Sequence, residues 1–196
     1  MGKQIPLFLL LLVINMRYVI LTILLIGCST PPKIQYDGDL NDDGKWHGNG
    51  ILTYSSGDYW EGEFKDGLPF NGEGMYIYPD KSKYVGRIIK GLKQGHGNQV
   101  WSPHDKYDGE FKDDKFSGQG TLTQFGGYKW VGEFENGLPN GKCIYKTPDG
   151  VTYVGDMKDG LFHGQGKIIY KDGREWEGDW QNDLPLSPFS SKGAQE

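Results

Sequence analysis

Trp60-Glu-Gly-Glu-Phe-Lys-Asp-Gly67 is the stretch that decides the fold, because its first five residues return along the chain as an aromatic-x-Gly-x-apolar unit. The unit occurs seven times, at Tyr36-x-Gly38-x-Leu40, Trp60-x-Gly62-x-Phe64, Tyr84-x-Gly86-x-Ile88, Tyr107-x-Gly109-x-Phe111, Trp130-x-Gly132-x-Phe134, Tyr153-x-Gly155-x-Met157 and Trp176-x-Gly178-x-Trp180. Its glycines are spaced 24, 24, 23, 23, 23 and 23 residues apart. Nine or ten residues after each of the first six glycines comes a second signal: Gly48-x-Gly50, Gly72-x-Gly74, Gly95-x-Gly97, Gly118-x-Gly120, Gly141-x-Cys143 and Gly164-x-Gly166. A fixed period of this length marks a stack of identical structural units.

Those units are strands. Between Gly38 and Pro185 the longest run free of Gly and Pro is eight residues, 110–117, so a helix of ordinary length has no room. Side chains alternate faces along a strand, which puts the aromatic, the glycine and the apolar residue of each unit on one face and the two x positions on the other. The glycines of the second signal share a face with residues such as Leu52 and Tyr54, Tyr76 and Tyr78, or Ile168 and Tyr170. A missing Cβ leaves space for a neighbouring ring to lie flat on the backbone, so a valine at Gly132 is expected to force a side chain against such a ring. Lys65-Asp-Gly67, Glu135-Asn-Gly137, Lys158-Asp-Gly160 and Lys171-Asp-Gly173 supply the turns between strands.

Composition agrees. Glycine makes up 31 of 196 residues, roughly 16% against a usual share of about 7%, while an aromatic content of 14% excludes ordinary low-complexity disorder. The first 28 residues hold Lys3 and Arg17 and no acid, so the remainder carries 19 basic and 26 acidic residues, a net charge of −7. That sign repels phosphate backbones and anionic lipid, which argues against a nucleic-acid partner.

The repeat resembles the MORN family, whose pattern is aromatic-x-Gly-x-aromatic, then Asn/Asp-Gly, then His/Asn-Gly-x-Gly, then Tyr and an Asp-Gly turn. It is legible in Trp60 to Gly67 and in His163-Gly-Gln-Gly166. The resemblance covers residues 36–184, about seven repeats, and implies an all-β, elongated single-sheet solenoid of stacked antiparallel β-hairpins. Departures are Asp114 at a turn glycine, Cys143 at the second glycine of its pair, one extra residue in each of the first two repeats, and a seventh repeat that stops at Leu184-Pro185. Residues 185–196 form a short polar tail.

Ahead of the array, two apolar runs flank Met16-Arg17, each far short of the ~20 residues that span a bilayer. The second ends in Leu25-Ile26-Gly27-Cys28, which resembles the bacterial lipobox, whose Cys is lipidated and becomes the mature amino terminus. On this reading 1–28 is a lipoprotein signal peptide, Met16 is an alternative start, Cys28 carries the lipid and 29–35 is a tether. A plain signal anchor, or a secretory signal with an incidental Cys, is the competing reading. Ser29 after the Cys favours the outer membrane where the organism has one. With Cys28 acylated, Cys143 has no disulfide partner and is expected to be a small buried residue.

No catalytic constellation emerges. Acids follow the repeat glycine in six units, Asp39, Glu63, Glu110, Glu133, Asp156 and Asp179, with Arg87 the exception. They are either a solvated face or a strip for a basic partner or cations. Asp39-x-Asn41-x-Asp43-Gly44 matches the front of a calcium loop, but Gly50 stands where a bidentate Glu is needed. The four histidines, His47, His96, His104 and His163, lack metal-ligand spacing, so neither metal nor cofactor is expected. The expected role is a non-enzymatic, membrane-tethered interaction or scaffold module of the bacterial cell envelope. Trp60, Tyr84, Tyr107, Trp130, Tyr153 and Trp176 are the candidate anchors for a protein or peptide partner, unless their rings merely pack on neighbouring glycines. Lipid binding is the alternative, followed by an envelope polysaccharide-binding protein or enzyme.

Overall fold

The structure, a computed structural model, describes residues 33–186. They form one 14-stranded antiparallel sheet in which each strand pairs with its neighbours in sequence. The strands are β1 (Ile34–Leu40), β2 (Trp46–Tyr54), β3 (Tyr59–Lys65), β4 (Leu68–Ile77), β5 (Lys83–Ile89), β6 (Leu92–Val100), β7 (Lys106–Lys112), β8 (Lys115–Gln124), β9 (Tyr128–Glu135), β10 (Leu138–Lys146), β11 (Thr152–Lys158), β12 (Leu161–Ile169), β13 (Glu175–Gln181) and β14 (Leu184–Pro185). The one helical turn among the described residues is the 3-10 turn Phe125–Gly127. The sheet is open, with β1 and β14 at its edges. The stack of antiparallel hairpins read from the repeat is therefore the observed architecture, and the truncated seventh repeat contributes the hairpin β13–β14. The expected signal segment with Cys28, most of the tether and residues 187–196 of the tail lie outside the described residues.

Two-residue turns join the strands within each hairpin after the first, whose strands are joined by residues 41–45. At the turn between β9 and β10, Asn136 and Gly137 both have positive φ, 53° and 92°, the type I′ geometry whose twist matches that of the flanking strands. The Gly137 N–H then donates to the carbonyl of Phe116 in the preceding hairpin, 3.0 Å away. Gly67 does the same to Trp46, Gly91 to Phe70 and Gly160 to Pro139, so successive turns are stitched together. Asp114 takes the place of such a glycine with φ 66°, a conformation unfavourable for a residue with a Cβ. Its carboxylate offsets the strain by accepting the Lys93 backbone N–H at 2.8 Å. Asp183 accepts from Phe162 in the same way, at 2.7 Å.

The sheet makes its core on one of its own faces. Gly109 and Gly120 face each other across β7 and β8, and the Tyr107 ring lies over both. A Cβ on Gly120 would come within 2.3 Å of the Tyr107 hydroxyl oxygen and 2.6 Å of its Cζ. Tyr36 lies likewise over Gly38 and Gly50, Tyr84 over Gly86 and Gly97, and Tyr153 over Gly155 and Gly166. The second repeat departs from this register: Gly62 faces Gly72, not Gly74, which lies opposite Trp60 instead. Its extra residue falls between Gly67 and Gly72. A Cβ at Gly132 would meet the Lys142 carbonyl oxygen at 2.2 Å and Cys143 Cα at 2.7 Å, so the obstacle there is backbone and Cys143, where a ring was expected.

Gly120 does not occupy the left-handed region, so adding a side chain there costs space alone. Gly120→Ala is expected to lower the unfolding free energy by about 1–3 kcal/mol, the usual cost of overpacking. Chemical unfolding followed by dichroism reads this directly. An unchanged midpoint would mean that the tyrosine ring is not seated on the glycine pair.

Candidate functional site

Each tyrosine that opens a repeat does two things at once. Its ring covers the glycine pair, and its hydroxyl donates to the carbonyl three residues on. The pairs are Tyr36 to Asp39 and Tyr84 to Arg87, both 3.0 Å, Tyr107 to Glu110, 3.0 Å, and Tyr153 to Asp156, 2.7 Å. A second group then covers the ring from the facing strand. Trp46 stacks on Tyr36 at 5.2 Å between centroids, and Phe116 and Phe162 stack on Tyr107 and Tyr153 at 3.8 Å and 11°. In the third repeat the cover is a cation, Lys93 Nζ, 5.3 Å from the Tyr84 ring centroid and within 5.8 Å of the Phe111 centroid. Where the repeat opens with tryptophan, the covering position is proline: Pro69 with Trp60, Pro139 with Trp130, Pro185 with Trp176. The larger ring thus goes with the smaller residue at that position.

This packing decides the fate of the predicted anchors. Trp60, Tyr84 and Tyr107 are 0% exposed, Tyr153 1% and Trp176 3%. The alternative named for them holds: the rings of Tyr84, Tyr107, Tyr153 and Trp176 pack on neighbouring glycines, and Trp60 is buried with them. These five form the core and present no contact area. Trp130 alone of the six is half-buried.

Its repeat is also the one that departs from the glycine pair. Gly132 faces Cys143 across β9 and β10. The Cys143 thiol donates to the Glu133 carbonyl at 3.2 Å, and Glu133 stands three residues after Trp130, so the sulfur supplies the hydrogen bond that a tyrosine hydroxyl supplies elsewhere. Cys143 is 3% exposed, as expected for a small buried residue, and burial pushes its thiol pKa up, which suits an inert role. Trp130 leans instead on Tyr145, 4.7 Å between centroids, and packs against both halves of the apolar core.

The result is a groove of about 580 Å³ on the aromatic face, walled by Trp101, Phe116, Leu122, Trp130, Leu138 and Pro139. Trp101 and Leu138 are 44% and 47% exposed. Sequence reasoning passed over this feature, although its signal is present. The last position of each even strand's aromatic row, read every 23 or 24 residues, runs Tyr54, Tyr78, Trp101, Gln124, Thr147, Tyr170. The row of rings breaks at Gln124, beside the Trp130–Pro139 pair.

The acids of the opposite face are bound into the sheet. The carboxylates of Asp39, Glu110, Glu133 and Asp156 lie against the first glycine of the following Gly-x-Gly, where a Cβ on Gly48, Gly118, Gly141 or Gly164 would meet them within 3.0 Å. Asp156 also accepts the Gln165 backbone N–H at 3.3 Å and pairs with Lys142 Nζ at 2.6 Å. The strip thus serves local geometry. The calcium-like stretch is a turn in which the Asn41 side chain accepts the N–H groups of Asp43 and Lys45. Among the described residues no three acids, histidines or cysteines are placed to share a metal ion.

The sequence pattern of the MORN repeat matches residues 36–59, 60–83, 84–106, 107–127, 130–152 and 153–173. Alsin from human and from rat are each 32% identical to this chain over 94 residues, which is 43% of this chain and 6% of alsin. The inactive protein tyrosine kinase pTKL of Plasmodium berghei (strain Anka) is 38% identical over 55 residues, 28% of this chain and 4% of its own length. The matched stretch is thus a small fraction of each relative.

Two expectations follow from this packing. Burial pushes the phenols of Tyr76, Tyr78, Tyr107 and Tyr153 up to about 12. An unfolded phenol ionises near ~10, so the stabilisation is complete below about pH 10 and is lost as pH rises to about 12. In an alkaline titration, tyrosinate absorbance from these four rings should appear together with loss of the β spectrum; its appearance in the folded sheet would contradict their burial. The exchange of Tyr with Gly for Trp with Cys is also expected to be coupled. Trp130→Tyr and Cys143→Gly should each destabilise by about 1–2 kcal/mol, and the double variant by less than their sum by about 1 kcal/mol. Strict additivity in the double-mutant cycle would show that the two positions do not compensate each other.

Proposed function

The chain belongs to the MORN repeat family, and from that membership we infer that it is a binding or scaffold module that holds a protein or peptide partner in the groove beside Trp130. The observation that carries this reading is the groove itself: an apolar recess flanked by an exposed and a half-buried indole, on the face where the repeat-opening rings Trp60, Tyr84, Tyr107, Tyr153 and Trp176 are buried. Exposed aromatics on a rigid scaffold give large contact area at low entropic cost, which is why they concentrate binding energy. The net charge of −7 beyond residue 28 favours a protein partner over anionic lipid.

We further infer that Cys28 is lipidated and holds the array at the membrane of a bacterial envelope, the outer one where two exist. Leu25-Ile26-Gly27-Cys28 and the neutral Ser29 support this. The tether from 29 to 35 reaches at most ~25 Å, so the partner would be engaged close to the membrane.

The test uses full-length protein carrying a photo-crosslinking amino acid at Leu138 or, as the opposite-face comparison, at Val154. Protein adducts from the Leu138 site and not from Val154 are expected. Adducts to lipid alone would make the chain a lipid binder, and protein adducts from Val154 alone would move the binding face. In the same cells, Cys28→Ala should lose fatty-acid labelling and leave the membrane fraction; unchanged labelling and fractionation would remove the lipid anchor.

A further inference from the structure

The slot beside Trp130 has close counterparts in the same molecule, and those counterparts are filled. In the fourth and sixth repeats a phenylalanine, Phe116 or Phe162, lies parallel to the opening tyrosine at 3.8 Å. In the first repeat the occupant is Trp46, stacked on Tyr36 at 23°. In the third it is the ammonium of Lys93, among Tyr78, Tyr84 and Phe111 at 5.5, 5.3 and 5.8 Å from the ring centroids. The sheet thus accepts two kinds of group at this position, an aromatic ring and a cation over rings.

In the fifth repeat neither is supplied. The second and seventh repeats also place proline at this position, Pro69 and Pro185, beside the buried Trp60 and Trp176. In the fifth, Pro139 accompanies a half-buried Trp130, and Gln124 replaces the ring that Tyr54, Tyr78 and Trp101 place in the adjacent row. Cys143 has taken over the space above Gly132. The Trp130 ring is therefore covered on one side by Tyr145 and open towards the groove. At about 580 Å³ the groove is larger than one ring needs and lies within the range that encloses small ligands, ~300–1,000 Å³.

Charge narrows the occupant. The one ionisable side chain lining the groove is Asp105; no Lys, Arg or His lines it. Asp105 accepts from the Ser102 hydroxyl at 2.7 Å and from the Phe125 backbone N–H at 2.7 Å, which fixes the carboxylate in place. These bonds hold its pKa below the usual carboxylate range.

We propose that the groove beside Trp130 receives the aromatic side chain of a partner peptide, with an adjoining basic residue of that peptide placed at Asp105. This rests on the reading of the groove as the partner site and adds the chemistry of what enters it. The partner ring completes the stack that Phe116 and Phe162 complete in their own repeats, and its basic neighbour meets the groove's one charge.

The test uses the full chain and three capped peptides: Gly-Ser-Arg-Phe-Arg-Ser-Gly, the same with Leu for Phe, and the same with Glu for both Arg. Binding is read from the indole N–H signals of Trp101 and Trp130 by nuclear magnetic resonance. The Arg-Phe-Arg peptide should move both signals, and each substituted peptide should bind about tenfold more weakly, the loss of one aromatic stack or one charge contact. Pro139→Phe, which copies the cover used in the fourth and sixth repeats, should abolish binding while the melting temperature holds or rises. Gln124→Trp offers a second way to plug the groove should Pro139→Phe not fold. Equal binding of the Phe and Leu peptides, or unchanged binding to both plugged variants, would overturn the proposal. So would signals moved only by phosphatidylglycerol vesicles, or only by self-association of the chain. If the Leu138 site crosslinks a protein while the three peptides bind alike, the groove remains the partner site and only this assignment of its occupant fails.

Discussion

A one-layer sheet has no second layer to bury its apolar face, and this constraint sets the rest of the structure. The chain meets it by laying rings flat on its own backbone. A ring can lie that close only where two facing residues lack Cβ atoms, which is why Gly109 faces Gly120 and Gly155 faces Gly166. The ring then needs a cover on its outer surface, and the facing strand provides Trp46, Lys93, Phe116 or Phe162. Backbone, ring and cover make a sandwich within one hairpin and its neighbour. Burial of such rings contributes of the order of 2–3 kcal/mol each, enough to offset the marginal stability of an isolated hairpin.

Departures from the repeat are compensated at the level of single hydrogen bonds. Asp114 adopts a glycine's conformation and its carboxylate gains the Lys93 N–H. Cys143 displaces a glycine and its thiol takes the carbonyl that a tyrosine hydroxyl would have capped. Both look like errors in the pattern, but in each the substituted side chain satisfies a backbone group that the local change leaves exposed. A buried polar group left without a partner costs more than a typical hydrogen bond contributes, so such exchanges persist only when the replacement brings its own donor or acceptor.

The fold was almost wholly legible in the sequence because a period of 23 or 24 residues, glycine turns and alternation each point to the same strands. The register of the second repeat was not, since a single inserted residue can be absorbed in a turn or in a strand and only packing chooses. The candidate site was legible in its residue types and not in its exposure. Trp60, Tyr84, Tyr107, Tyr153 and Trp176 could be read either as anchors or as rings packed on glycines, and only the cover contributed by side chains such as Lys93, Phe116 and Phe162 decides for packing. The positions around the rings recur with the same period, so comparing them repeat by repeat would have shown Cys143 and Gln124 as the place where the pattern changes.

Why the opening lies in the fifth repeat follows from the energetics of repeats. Each unit is stabilised by its own packing and by its immediate neighbours, so a loss in one unit stays local if both neighbours are intact. A terminal repeat has one neighbour and must keep its cover to hold the edge, as Trp176 and Trp180 do, their rings 4.9 Å apart and at 90°. The fifth repeat is braced on one side by the Tyr107–Phe116 stack and on the other by the Tyr153–Phe162 stack. It can therefore leave Trp130 partly uncovered without loosening the sheet. The two flanking stacks also fix the walls of the groove, so a partner entering it meets a surface already in position and loses little freedom beyond its own.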